Sequence, residues 1–113
     1  MKKRYITVPT TIKSMKEFEY GNIIEDEIEE VMLTNDEFDK IWNLGLFENL
    51  NTACNAMIDD YEEDTIEIDQ LENALEVVTS LNNALFERSE LIERIQELIK
   101  LAIKCKTCII FDF

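Results

Sequence analysis

The chain closes on CIIFDF and opens, three residues from its start, on RYITV. β-Branched and aromatic side chains dominate both runs, and Pro9 stops the first. Each therefore reads as a short strand, over 4–8 and 108–113. A strand on its own leaves a row of amides and carbonyls without partners. The economical remedy is for the two runs to share a sheet, although nearly the whole chain separates them. What lies between is mostly helical in period, and those helices must cover a face of that sheet. The expected fold class is α+β: about four helices packed on a small sheet that includes the N-terminal (4–8) and C-terminal (108–113) strands.

A length of 113 residues is that of one domain, 1–113, able to bury a core without disulfides or metals. Two glycines and one proline leave few places to interrupt regular structure. Apolar residues make up 46% of the chain, more than a disordered segment of this charge would carry.

Between the ends, residues 10–22 are mixed and polar, finishing at the turn signal Gly21-Asn22. Ile28 to Leu33 reads as a strand. Thr34 and Glu37 form a capping box, after which Phe38, Ile41 and Trp42 share a helical face that stops at Gly45. Phe47, Leu50, Cys54, Met57, Ile58 and Tyr61 predict a second helix, running into DDYEED at 59–64. Four of those acids would then sit in or just beyond its last turn, the wrong end of the helix dipole. Thr65 to Ile68 is a brief extended run, and Asp69 with Glu72 repeats the capping signature. Leu71, Ala74, Leu75, Val78, Leu81 and Leu85 mark a third helix. Ser89 caps a fourth, with Leu91, Ile92, Ile95, Leu98, Ile99 and Ala102 or Ile103 on its buried face. The last two are tightly joined and should pack antiparallel.

Charge is segregated along this framework. Residues 1–16 carry five bases and no acid, 17–76 carry 20 acids against Lys40 alone, and 77–113 carry five of each, for a net −14. Solubility does not require such crowding, which works against the compact state by self-repulsion. The surface repels nucleic acid, whose binding needs Lys and Arg at phosphates, and anionic membrane faces as well. The basic start MKKR has the look of an export n-region, but the run of roughly seven apolar residues that must follow is missing. No stretch approaches the ~20 residues of a membrane helix. Three cysteines, an odd number, suit a reducing compartment, and the expected location is cytoplasmic.

Catalytic chemistry has little to work with. The chain contains no histidine, which removes the usual general base and any Ser-His or Cys-His nucleophile. The two glycines are isolated, so no phosphate-cradling loop forms. Cys105-Lys-Thr-Cys108 is a CxxC motif, but here a helix ends and a strand begins, the reverse of a thioredoxin-like site. Cys54 is the one further soft donor for zinc. An EF-hand register from Asp60 places Glu62 and Asp64 correctly, then fails at Thr65 and Leu71. No catalytic residue, cofactor or metal is expected, and the chain does not read as an enzyme.

The acidic runs remain as the working part. The segment GNIIEDEIEE holds Glu25, Asp26, Glu27, Glu29 and Glu30, and the second cluster holds Asp59, Asp60, Glu62, Glu63 and Asp64. Such runs are ordinarily wet faces. These are segregated, uncompensated, and set beside the aromatic residues Phe18, Tyr20 and Tyr61, which suit anchors within a polar rim. Tyr20, Tyr61 and the ten acids are the candidate contacts for a basic protein partner. Carboxylates suit arginine forks and can fill a groove meant for phosphate.

A small, acidic, catalytically empty α+β domain resembles the immunity proteins of bacterial toxin systems, contact-dependent growth-inhibition pairs among them. The resemblance lies in size, charge and missing catalytic groups; no family motif matches residue by residue. It implies an inhibitor that covers the active groove of a basic toxin domain, a nuclease in the first instance. Two other readings stand beside it. One is a phage-type nucleic-acid mimic directed at a host nuclease. The other is a homodimeric structural or adaptor protein using an apolar helix face or strand edge; the sequence leaves the oligomeric state open.

Overall fold

The computed structural model describes residues 3–113. Its order is β1 (Arg4–Pro9), α1 (Ile12–Glu19), β2 (Ile28–Leu33), α2 (Asn35–Asn43), α3 (Leu46–Cys54), β3 (Glu63–Ile66), α4 (Leu71–Ala84), α5 (Glu90–Cys105) and β4 (Ile109–Asp112), with single 3₁₀ turns at Glu25–Glu27 and Ile68–Gln70. The strands form one antiparallel sheet in the order β2-β1-β4-β3. The first and last strands are neighbours at its centre, as the unpaired-edge argument requires. Ile6 lies opposite both Val31 on β2 and Phe111 on β4.

Alternation decides what each face does. Ile6, Val8, Val31, Leu33, Ile66, Ile109 and Phe111 point to one side and are buried there with Phe47, Leu50, Ile95 and Ile99 from the helices. Phe38, Phe47, Phe111 and Phe113 meet edge-on or offset at 5.0–6.1 Å, the arrangement aromatic quadrupoles favour. Helices α4 and α5, joined by five residues, pack on each other; α5 also contacts β1, β2 and β4.

Several local expectations hold. Thr34 accepts from the Glu37 amide at 3.1 Å and Glu37 accepts from the Thr34 amide at 2.9 Å, completing the capping box. Ser89 accepts from the Ile92 amide at the start of α5. Gly21 turns the chain with φ +81°, the left-handed region that glycine enters freely.

Others are corrected. The α+β class of helices on a small sheet stands, and what changes is the segment read as irregular: its residues 12–19 form α1, a fifth helix among the described residues, started by a capping box in which Thr11 is paired with Ser14. Serine at the third helical position lies outside the Glu/Gln form of that signal. The helix expected over Phe47–Tyr61 stops at Cys54. Asn55 enters the left-handed region (φ 53°), and the Asn51 side chain holds the Ile58 amide and carbonyl at 2.7 and 3.0 Å. That bracket turns the chain and buries Ile58 from a loop, while Met57, expected on the buried face, is exposed. The acids of 59–64 therefore escape the helix C-terminus and its dipole. The extended run expected at 65–68 is β3, two residues earlier. Asp69 does not cap α4, because a 3₁₀ turn runs straight into the helix and Gln70, already near-helical, occupies the cap position.

Candidate anionic interface

The sheet order places the two acidic runs. Glu29 and Glu30 lie on β2, one outer strand, with Glu25, Asp26 and Glu27 in the 3₁₀ turn that feeds it. Glu63 and Asp64 lie on β3, the other outer strand, with Asp59 to Glu62 in the loop before it. The fold thus brings the runs to one sheet without bringing them together: three strand spacings, about 14 Å, separate them.

Alternation then sorts them by face. Glu30 and Glu63 point away from the helical core; Glu29 and Asp64 point toward its side. Asp112 joins the outward set. It lies directly opposite Glu63 and, across β4, opposite Tyr5. Two like charges facing each other across an antiparallel pair are destabilising, and no base sits between them among the described residues. Asp112 was missed in the sequence because it sits in an apolar run. The signal was the alternation of Phe111-Asp112-Phe113, which sends the two rings one way and the carboxylate the other.

The acids differ in how far they are engaged. Glu27 accepts from the Thr11 hydroxyl at 2.6 Å, Glu30 from the Thr7 hydroxyl at 3.0 Å and Asp64 from the Met57 amide at 2.6 Å. These bonds orient carboxylates without neutralising them. Asp59 and Asp60 each accept from the following residue's amide, at 2.8 and 3.0 Å, which folds the loop. Glu25, Asp26, Glu29, Glu62 and Glu63 make no side-chain hydrogen bond to another described residue. Tyr20 and Tyr61 expose 81% and 80% of their surface, enough to serve as anchors, and Phe18 is half-buried. Tyr61 also holds φ +66°, a backbone state that a bulky residue enters only under constraint.

Asp60 is half-buried and turned toward the interior. The buried Arg4 donates to it through Nε and Nη2 at 3.0 Å each, donates to Asn35 Oδ1 at 2.6 Å, and lies 4.1 Å from the centre of the Phe38 ring. Hydrogen bonding to Asp60 raises the Arg4 pKa further above its ordinary value, against the opposing effect of burial. Of the ten candidate acids, Asp60 alone has a cation within ion-pair distance among the described residues. Lys2, part of the basic N-terminal set, lies outside those residues.

The outer face of the sheet is closed at Thr7, Cys108 and Ile110, which are buried although they alternate away from the main helices. Helix α1, which packs on β1, is the element available to cover them. The Cys108 thiol is pushed up to about 12, first by burial and then by the charges of Glu67 and Glu19. A thiol held this far up is a poor nucleophile, so Cys108 does not have the acidity of a redox cysteine. No described helix is long and apolar enough to cross a membrane.

The geometry is thus an antiparallel sheet with anionic outer strands, backed by helices. The chain is similar in fold to the Neisseria DNA mimic protein DMP12. The superposition covers 100% of both chains with a TM-score of 0.64 at 17% sequence identity. A likeness at that identity is one of fold alone. No protein-family model matches the sequence, and neither does any curated protein.

Proposed function

We propose that this chain is a non-catalytic inhibitor that occupies the nucleic-acid-binding groove of a basic protein, presenting the acids of its sheet in place of phosphates. One observation carries this reading. The fold mounts two acidic runs on, and in the segments leading into, the opposite outer strands of a single sheet and leaves nine of their ten carboxylates without a cationic partner among the described residues. The rails lie about 14 Å apart by strand spacing, the scale of the roughly 12 Å major groove that parts the phosphate strands of a duplex. Exposed Tyr20 and Tyr61, close in sequence to the two runs, would serve as anchors. The shared fold with a protein named as a DNA mimic supports the same reading.

Within that class, the immunity reading names the partner more finely: a nuclease toxin domain whose active groove is basic, neutralised in the cytoplasm. A homodimer through strand edges is disfavoured by Glu29 and Glu30, which would meet their own copies.

The test is capture on the immobilised chain followed by competitive elution. A retained basic protein should be released by a double-stranded oligonucleotide and by salt, since screening shortens to about 8 Å at physiological ionic strength. It should not be released by a neutral polymer. A partner that resists both duplex and salt would overturn the reading, and loss of nuclease activity on titrating the chain into the released protein would show that the partner is a nuclease, the class that both the toxin and the host-nuclease readings name.

A further inference from the structure

The outer strand β2 has an open edge whose parity can be worked out. The Thr10 amide donates to the Glu27 carbonyl at 2.8 Å, one step beyond the β1–β2 ladder. Bonded and non-bonded pairs alternate along an antiparallel ladder. Val8–Glu29, Ile6–Val31 and Arg4–Leu33 are therefore the bonded pairs, and the backbone groups of Ile28, Glu30 and Met32 point away from β1. The position of Pro9 agrees, for its pair with Ile28 asks no amide of it. Among the described residues, nothing bonds the amides of Ile28, Glu30 or Met32.

Beside this edge, between β2 and α5, runs a groove of about 800 Å³. Its apolar floor is Val31, Leu98 and Leu101. Along its walls, four carboxylates, Glu29, Glu90, Glu93 and Glu97, stand with two guanidiniums, those of Arg88 and Arg94; Glu30 also lines the groove, but its side chain turns to the other face of the sheet. Of the two guanidiniums, that of Arg88 is already held by Glu93 through two bonds of 2.9 Å. An open strand edge above an apolar floor is the setting for strand addition, in which main-chain bonds supply affinity and alternate side chains supply choice.

We infer that β2 accepts an extended, lysine- or arginine-bearing segment of the protein partner as a fifth strand of the sheet. One set of its alternate side chains would enter the α5 groove, and the other would lie over Glu30 and Met32. The surplus of carboxylates selects a cationic segment, and it rejects a second copy of this chain, whose β2 would set Glu29 and Glu30 against themselves. The inference rests on the reading of a cationic partner and adds a backbone contact to it.

The experiment is amide-resolved NMR of the full chain titrated with a short peptide of alternating lysine and valine. A second peptide is N-methylated at alternate positions, which keeps charge and side chains but removes main-chain donors. The first peptide should shift the Ile28, Glu30 and Met32 amides and slow their hydrogen exchange. The second should bind about tenfold more weakly, the worth of a lost hydrogen bond or two. Met32→Pro deletes one outward amide at an edge position where proline is tolerated, and should weaken the first peptide by a similar factor with the rest of the spectrum unmoved. Equal binding of the two peptides, or shifts confined to Glu62, Glu63 and Asp112, would overturn strand addition and leave the cationic-partner reading standing. Failure of both peptides to bind at low salt would count against both readings.

Discussion

Replacing Asp60 by alanine tests how the fold withdraws one acid from its anionic surface. The Arg4 side chain is 8% exposed and that of Asp60 26%, so the pair is buried on the arginine side and half-open on the other. Two charges about 4 Å apart at an effective dielectric of 20 attract by about 4 kcal/mol, before the desolvation that offsets part of it. Asp60→Ala leaves the guanidinium with Asn35 and the Phe38 ring alone, and should destabilise the fold by about 3 kcal/mol. Arg4→Met keeps most of the volume and removes the deeper charge, while Asp60 can turn to water. That variant should lose less, about 1–2 kcal/mol. Combining the two in a cycle should give a coupling of about 2–3 kcal/mol.

Urea unfolding followed by Trp42 fluorescence measures all three variants. With a slope near 1.5 kcal/mol per molar, Asp60→Ala should move the midpoint by about 2 M at unchanged slope. Added salt should alter the coupling little, because a buried pair is poorly screened. A loss under about 0.5 kcal/mol, or an arginine variant worse than the aspartate one, would refute the assignment of Arg4 as the deeply buried partner. Partner affinity should respond weakly to Asp60→Asn, since that carboxylate faces inward.

Glu63→Lys places a cation opposite Asp112; it should stabilise the fold by about 0.5 kcal/mol in the same urea assay while weakening association with a basic partner. Gains in both would mean that the surface has no cationic ligand. Because Cys108 ionises near 12 in the folded chain and near 8.5 when unfolded, its effect on stability is neutral below the lower value. Between the two, only the unfolded state sheds the proton, and stability should fall by about 1.4 kcal/mol per pH unit from this group. Cys108→Ala should flatten that slope in alkaline urea titrations, and a thiol reagent at neutral pH should modify Cys105 well ahead of Cys108. Asn51→Ala removes the bracket on Ile58 and should cost about 1–3 kcal/mol, with hydrogen exchange quickened through 56–62; unchanged protection there would place the loop's support elsewhere.

The candidate site was half legible in the chain. The ten acids and two tyrosines could be picked out because they are contiguous and uncompensated. Their arrangement could not, since it depends on which strands are outermost. Asp60 looked like its neighbours until Arg4, far away in sequence, was seen to claim it. Asp112 looked like a stray charge until β3 set Glu63 across from it. Helix α1 escaped notice because serine stands where a glutamate would have announced its start, and α3 was overextended because Ile58 reaches the core from a loop at helical spacing.

By itself the sequence determined the fold class, the pairing of the end strands, most helix starts and the net charge, all of which follow from local periodicity, capping chemistry and the rule that strand edges need partners. The tertiary structure alone decided the strand order, and with it that the two acidic runs become separate rails, that one acid turns inward, and that β2 keeps an open edge. The physical reason is that neighbours in a sheet are chosen by the joint burial of side chains distant in sequence, and no window along the chain contains that sum.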